Sequence, residues 1–191
     1  HQYPVKIGVN WASQVKTISS IHSKTLILAP KSIVSRYKLK ENSSVKLLIT
    51  PEGENQKTLN TLDKVWSKCA AEGIARADAI IGIGGGATTD LAGFAASSWL
   101  RGISWYAFPT SLAGMVDAAI GGKTGINAKS GKNLIGSFYS PSEVLIDLSF
   151  LNTLPKRDLS AGMAEVIKCG FIADYRILNL AQDDDLDYQQ L

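Results

Sequence analysis

One stretch of this sequence, residues 79–100, restricts the possible folds more than any other. A short apolar run at 79–83 is followed directly by three glycines at 84–86 and then by a helix-like segment of small residues at 87–100. Glycines let the backbone turn tightly and let a ligand approach the main chain, and free N–H groups at a helix start attract anionic oxygen. The stretch therefore predicts an α/β fold in which a strand, a glycine turn and a helix form a phosphate site.

Several glycine motifs compete for this stretch. Gly82, Gly84 and Ala87 fit the looser dinucleotide fingerprint Gly-x-Gly-x-x-Gly/Ala. Glycines that serve only a tight strand-to-helix turn explain the same residues equally well. An ATPase P-loop is excluded, because the Gly-Lys-Thr at 122–124 has Asp117 where the motif requires its first glycine.

Composition narrows the ligand class. The net charge is +3 and the basic residues are scattered, which argues against dedicated nucleic-acid binding and suits an anionic small molecule. No apolar run is long enough to span a membrane. Cys69 and Cys169 lie far apart without further ligands at metal spacing, which indicates free thiols in a reducing compartment. We therefore expect a cytoplasmic protein that contacts neither nucleic acid nor membrane.

Strand-like and helix-like segments alternate along the first 149 residues. The sequence predicts strands at 5–9, 25–29, 45–49, 79–83, 105–108 and 144–147, and helices at 32–37, 58–72, 87–100 and 110–120. Thr58 is a typical helix N-cap and Gly73 a typical helix end. Residues 124–140, rich in Gly, Ser, Asn and Lys, are expected to form a loop. This alternation predicts a parallel sheet with helices on its faces.

The pattern changes after residue 148. Residues 158–172 have apolar side chains at helical spacing, and a second helix is expected near Asp174. We predict a domain boundary near 149, with an α/β domain at 1–149 and the start of a helical domain at 150–191. Four aspartates, at 183, 184, 185 and 187, are expected to be a solvated acidic end rather than a metal site.

The ordered motifs together resemble the 3-dehydroquinate synthase family of sugar-phosphate cyclases. They are PEGENQK (51–57), GGGATTDLAGF (84–94), Arg101-Gly102, PTSL (109–112), Val116-Asp117, GGKT (121–124), GKNLIG (131–136), TLP (153–155) and GMAEVIK (162–168). The resemblance covers nearly all of the chain. It implies a Rossmann-like α/β N-terminal domain that binds NAD, followed by the beginning of an all-helical C-terminal domain. It also suggests a homodimer.

The resemblance assigns roles to particular residues. Those implied for NAD are Glu54 and Lys57 at the nucleoside end, Gly84, Gly85 and Gly86 at the pyrophosphate, Asp90 near the nicotinamide, and Thr110, Ser111, Lys132, Phe150 and Thr153 around the site. Those implied for a phosphorylated sugar acid are Arg101, Asp117, Lys123, Asn133 and Lys168. Glu165 is implied to be one of three ligands to a divalent metal, zinc or cobalt.

The residues by themselves leave simpler interpretations open. Glu165 and Lys168 are three apart and could form a surface ion pair on one helix face. Their neighbours are apolar or small, however, and charges in such a setting need a partner such as a metal or an anionic substrate. Asp90 could be an ordinary acid in the first turn of a helix, and Arg101 and Lys57 ordinary surface charges.

The sequence departs from the family pattern in three places. Thr89 stands where a glycine is common, and Ser111 where a second threonine is usual. The family's two metal-binding histidines lie in its C-terminal domain, whereas this chain has only His1 and His22, neither in a matching motif. Three protein ligands are usual for catalytic zinc, so we expect the printed chain to supply part of that site.

Four functions remain to be separated. The resemblance implies a synthase that oxidises a substrate alcohol with NAD, eliminates phosphate, reduces the ketone again and closes a carbocycle. Another sugar-phosphate cyclase, making an aminocyclitol or valiolone precursor, is the second. A metal-dependent polyol dehydrogenase is the third, and a non-catalytic nucleotide-binding module is the fourth. The lysine motifs at 123 and 132 favour the first, because the family reads its substrate there.

Overall fold

The computed structural model of the protein describes residues 2–182 and residue 188. It contains eight strands and six helices, which alternate as far as β5. The strands are β1 (Val5–Ile7), β2 (Thr25–Pro30), β3 (Val45–Thr50), β4 (Ala79–Gly84), β5 (Ser104–Pro109), β6 (Lys123–Ala128), β7 (Gly131–Phe138) and β8 (Glu143–Ile146). The helices are α1 (Trp11–Ile21), α2 (Lys31–Tyr37), α3 (Leu59–Glu72), α4 (Gly86–Ser98), α5 (Lys156–Ile172) and α6 (Arg176–Ala181). Short 3₁₀ turns cover Gly53–Gln56, Trp99–Arg101 and Leu148–Thr153.

Six strands form one sheet in the order β1-β8-β5-β4-β2-β3, and every pairing in it is parallel. All six residues of β2 and of β4 are buried, as expected for strands covered by helices on both faces. The chain passes from β2 outward to β3 and then returns across β2 to β4. Ligands of open α/β sheets bind outside the carboxyl ends of the strands at such a reversal. The predicted α/β class with a parallel, Rossmann-like sheet is confirmed.

Helices α3 and α4 cover this sheet by different means. In α3 the Thr58 hydroxyl accepts a hydrogen bond from the Thr61 N–H at 3.1 Å, and Gly73 ends the helix with φ +62°. Helix α4 instead packs through small residues: a Cβ added to Gly82 of β4 would lie 2.7 Å from the Cβ of Ala92. This close approach brings the start of α4 directly onto the end of β4.

The prediction of a loop at 124–140 is wrong. Strands β6 and β7 form an antiparallel two-stranded sheet there, with Thr124 paired to Ser137 and Gly125 to Gly136. Glycine permits this pairing, because a Cβ on Gly125 would lie 2.5 Å from the Ile135 carbonyl oxygen. Polar and glycine residues dominate because β7 is largely exposed, and this composition imitates that of a loop.

Three further elements differ from the sequence prediction. Helix α1 was not predicted, although Trp11, Val15 and Ile18 have helical spacing; of its eleven residues only Val15 and Ile18 are buried. The first strand ends at Ile7 rather than at residue 9, since Gly8 takes φ +74°. The helix expected at 110–120 is reduced to a π-helical turn, Gly114–Ala118.

Residues after 149 form α5 and α6, as the change of pattern predicted, while the domain boundary itself stays a prediction. The four aspartates of the acidic segment lie outside the described residues. Within the described ranges, no helix combines the length and apolar character that a membrane crossing requires.

Candidate nucleotide and substrate site

A cavity of about 510 Å³ lies at the carboxyl ends of β2, β3, β4 and β5; we call it the glycine-turn cavity. Seven of the eleven residues predicted to bind a cofactor line it: Glu54, Gly85, Gly86, Thr110, Ser111, Phe150 and Thr153. Gly84 is the last residue of β4, immediately before the turn. The strand order thus brings together, around one cavity, residues that are almost a hundred positions apart in sequence.

The glycine turn presents unpaired backbone donors. Gly85 is the N-cap of α4 and has no side chain with which to cap it; its carbonyl accepts from the N–H groups of Thr88 and Thr89. The N–H groups of Gly86 and Ala87, which also line the cavity, find no acceptor among the described residues. A Cβ on Gly86 would lie 2.7 Å from the Cβ of Ala118. The turn therefore fits an anionic group such as a pyrophosphate.

Aromatic rings form one wall of this cavity. Phe150, 2% exposed, stands edge-on to Tyr37 with ring centroids 5.0 Å apart, and Trp11 packs against both. The Tyr37 hydroxyl hydrogen-bonds the Thr153 hydroxyl at 3.0 Å. Such a wall suits a flat ring of a ligand. Tyr37 was missed from the sequence, where it is only the last residue of a short predicted helix.

Lys57 lies at the centre of a polar network rather than on the cavity surface. Its side chain is 3% exposed, and its ammonium donates to Asp90 Oδ2 at 2.6 Å and to Asn133 Oδ1. Glu54 Oε1 is 3.7 Å away. Burial raises the pKa of the Asp90 carboxyl, and the hydrogen bond from Lys57 opposes that shift. The network ties the β3–α3 loop to α4 and to the β6–β7 sheet.

A second cavity of about 500 Å³, the hairpin cavity, lies between α4, the π-helical turn and the β6–β7 sheet. Four predicted site residues line it: Asp90, Asp117, Lys123 and Asn133. Asp117 Oδ1 is 3.9 Å from the Lys123 ammonium and 3.3 Å from that of Lys168. Two cations held around one carboxylate form a site that suits an anionic substrate.

Glu165 and Lys168 form an ion pair across one turn of α5, and their side chains are 34% and 46% exposed. Hydrogen bonds to Glu165 and then to Asp117 raise the pKa of Lys168. Among the residues described, no group of three His, Cys, Asp or Glu side chains could hold a metal ion. Glu165 is therefore a single candidate ligand here and not a complete metal site.

His22, the histidine within the described residues, lies at the amino-terminal ends of the strands, opposite both cavities. Its ring nitrogens contact the Ala77 carbonyl oxygen at 2.6 Å and the Tyr106 hydroxyl at 3.0 Å. His1 lies outside the described residues.

The fold does not bring Arg101 and Lys132 to either cavity. Arg101 follows α4 at the amino-terminal edge of the sheet, opposite the glycine turn, and has φ +66°. Lys132 is exposed on β7. Their assigned roles stay predictions.

Comparison with known proteins gives a consistent result. Residues 47–161 match the family model described as 3-dehydroquinate synthase N-terminal. A 3-dehydroquinate synthase of Mycobacterium leprae (strain TN) is 45% identical over 189 residues, covering 95% of this chain and 52% of the relative. One of Corynebacterium jeikeium (strain K411) is 54% identical over 133 residues, covering 70% and 36%. The chain spans about half the length of the curated relatives it matches.

Solved structures resemble the fold closely. A 2-epi-5-epi-valiolone synthase from Streptomyces hygroscopicus subsp. jinggangensis, with NAD⁺ and Zn²⁺ bound, superposes with a TM-score of 0.84 at 30% identity, covering 94% of this chain and 52% of that one. A 2-deoxy-scyllo-inosose synthase complexed with carbaglucose-6-phosphate, NAD⁺ and Co²⁺ gives 0.75 at 31%, covering 86% and 47%. A probable glycerol dehydrogenase from Sinorhizobium meliloti 1021, 18% identical with a TM-score of 0.70 over 88% of this chain and 45% of that one, shares the fold.

Proposed function

This chain belongs to the 3-dehydroquinate synthase family, and we propose that it binds NAD and a phosphorylated sugar acid as part of a carbon–oxygen lyase. The proposed reaction converts 3-deoxy-D-arabino-heptulosonate 7-phosphate into 3-dehydroquinate and phosphate. One observation carries the proposal: Lys57 links the two cavities, because its ammonium lies 3.7 Å from Glu54 of the glycine-turn cavity and donates to Asp90 and Asn133 of the hairpin cavity. A cofactor in one cavity would then adjoin a substrate in the other.

The residues of the glycine-turn cavity would bind and orient the cofactor. The N–H groups of Gly86 and Ala87, which have no acceptor among the described residues, would hold its pyrophosphate. The wall formed by Phe150 and Tyr37 would pack against a flat ring. When bound, NAD supplies a reversible hydride acceptor for a secondary alcohol of the substrate. Asp90, which lines the hairpin cavity, would face the reacting end of the cofactor.

Residues of the hairpin cavity, together with Lys168 and Glu165 of α5, would hold the substrate. Lys123 and Lys168 would neutralise its carboxylate and phosphate, and Asp117 fixes both ammonium groups within 4 Å of one carboxylate oxygen. Glu165 would give one ligand to a divalent metal, which when bound polarises substrate oxygens. This role needs Lys168 to leave Glu165, its present ion-pair partner, and a bound anion offers Lys168 an alternative partner.

Phosphate release tests the proposal. We expect a protein that joins this chain to a complete set of metal ligands to release phosphate from the heptulosonate phosphate in the presence of NAD and a divalent metal, without net NADH. Lys123→Met should lower that rate at least 100-fold and leave NAD affinity within threefold of its original value. Lys40→Met, which replaces an exposed lysine outside both cavities, is the matched control and should change neither quantity.

The same assay separates the alternatives. Phosphate release from glucose 6-phosphate instead would indicate a cyclase closer to 2-deoxy-scyllo-inosose synthase, whose structure holds carbaglucose-6-phosphate. Net NADH formation at 340 nm would indicate a polyol dehydrogenase. NAD binding without turnover of any sugar phosphate, with the complete set of metal ligands present, would indicate a nucleotide-binding module.

A homodimer located in the cytoplasm completes the proposal. The family resemblance supports the dimer, and the free Cys69 and Cys169 suit a reducing compartment. Sedimentation equilibrium that gives the monomer mass at micromolar concentration would exclude the dimer, and fractionation of the source cells tests the location.

A further inference from the structure

Asn127 has no assigned role, yet it is the residue through which the β6–β7 sheet meets the β3–α3 loop. The ladder pairs Ile126 with Ile135 and then Ala128 with Gly131, so the register breaks at Asn127. The extra residues of this irregularity lie on β7, where 132–134 face Asn127 alone, and such a break takes side chains out of the regular alternation. The backbone N–H of Asn127 correspondingly leaves the ladder and donates to the Lys57 carbonyl oxygen at 2.9 Å.

Both ends of the Asn127 carboxamide are used. Nδ2 donates to Glu54 Oε1 at 2.7 Å, and Oδ1 accepts from the backbone N–H of Asn133 at 2.9 Å. The orientation of the amide is fixed by chemistry, because an ionised carboxylate only accepts and a backbone N–H only donates. One side chain thus joins Glu54, 73 positions earlier, to the opposite strand of its own sheet.

The bond to Asn133 matters because that residue has an unusual backbone. Asn133 takes φ +56°, in the left-handed region that few residues other than glycine adopt. Holding its N–H there directs its side chain inward, where Oδ1 accepts from Lys57. Lys57 in turn holds Asp90 Oδ2 at 2.6 Å. Asn127 therefore closes a ring of contacts that includes residues from both cavities.

We propose that Asn127 is a positioning residue, which sets Glu54 for the nucleotide and Asn133 for the substrate and so couples the two cavities. This inference rests on the proposed function for the identity of the ligands. Asn127 itself lines neither cavity, so it acts through the two residues it holds. Removing its donor should disturb Glu54, whereas removing its acceptor should release Asn133.

A change of polarity tests the contact with Glu54. Asn127→Asp keeps the acceptor for Asn133 but sets a second carboxylate against Glu54, so we expect the Kd for NAD to rise at least tenfold. In a Glu54→Gln background the new carboxylate finds an amide donor, and the same substitution should change the Kd less than threefold. A loss of general structural integrity would weaken binding equally in both backgrounds, and that result, or no change in either, overturns the proposal.

Hydrogen exchange of the Asn133 amide tests the other contact without any ligand. Asn127→Ala should speed this exchange at least tenfold, and Asn127→Asp should leave it within threefold of the original rate. Asn127→Ser replaces the alanine variant if that variant does not fold. Asn60→Asp is the matched control, because Asn60 is exposed on α3 and makes no side-chain hydrogen bond among the described residues. It should alter neither measurement.

The two measurements also separate this inference from the proposed function. A protein that fails to bind NAD overturns the proposed function and the nucleotide part of the coupling. The exchange rate of the Asn133 amide then still decides whether Asn127 holds the sheet, and an unchanged rate in the alanine variant overturns that part as well.

Discussion

Replacing Lys57 by methionine should destabilise the protein strongly, because it leaves a carboxylate without its buried partner. The Lys57 side chain is 3% exposed and that of Asp90 20%, and their charged atoms are 2.6 Å apart. Breaking a buried pair from one side costs roughly 3–5 kcal/mol. Asp90 keeps some contact with water, so we expect about 3 kcal/mol at pH 7, at the lower end of that range. For a chain of this size that corresponds to a fall in Tm of about 6–12 °C.

The stability of Lys57→Met should also depend on pH, with the largest loss at high pH. Burial already raises the pKa of Asp90, and the loss of Lys57 removes the interaction that opposes this shift. The folded state of Lys57→Met therefore binds a proton at Asp90 more tightly than the unfolded state does. The loss in free energy of unfolding should be largest above the pKa that Asp90 has in the folded state. It should shrink as the pH falls toward about 3.9, the pKa of an aspartate in the unfolded chain.

Urea unfolding at pH 7 and at pH 5 measures both effects. Lys57→Met combined with Asp90→Asn removes the buried charge and should recover more than half of the lost free energy of unfolding. Lys64→Met, on the exposed face of α3, is the control for loss of a lysine and should have almost no effect. A Lys57→Met variant within 1 kcal/mol of the original protein at pH 7, or one equally unstable at both pH values, would refute the reasoning.

Three other predictions follow from close packing and burial. Gly86→Ala should weaken NAD binding at least tenfold by calorimetry, because its Cβ would lie 2.7 Å from that of Ala118 and would displace the turn. Gly162→Ala should lower the free energy of unfolding by about 1–3 kcal/mol in urea, since its Cβ would lie 2.8 Å from the Ala113 nitrogen. Burial raises the pKa of Cys69 to about 12 from 9.0, so the unfolded thiol ionises first. Between pH 8 and pH 10 the original protein should therefore lose about 1 kcal/mol more stability than Cys69→Ala does.

The sequence predicted the glycine turn well, because its information is local. A buried strand, three glycines and a helix leave few alternatives, and Gly85, Gly86 and Asp90 lie where a strand-to-helix turn would put them. The lysine motifs also rest on local sequence; Lys123 lines the hairpin cavity, whereas Lys132 lies exposed on β7 and its role stays a prediction. Strand order then placed the glycine turn at the carboxyl edge of the six-stranded sheet, beside the segments that follow β2, β3 and β5.

The contacts of Asn127 and Tyr37 could not be read in this way. Asn127 acts through a residue 73 positions away, and Tyr37 through one 116 positions away. Neither contact can be recognised from the periodicity or the composition of the residues around Asn127 or Tyr37. The exposed β7 strand hid the bulge further, because its glycines and polar side chains have the composition of a loop. Contacts of this kind are decided by tertiary packing.

The pairing order of the sheet also determines when each strand can find its neighbour during synthesis. Among the described strands β1 comes first in the sequence, yet it pairs there with β8, the last of them, and Val5 lies opposite Val144. At roughly 5–20 residues per second, about 7–28 s separate the two. Meanwhile β2, β3 and β4 can already assemble, since each finds a neighbour within some fifty residues. We therefore expect the sheet to nucleate at the strands beneath the glycine turn, and β1 to join it only once β8 has been synthesised.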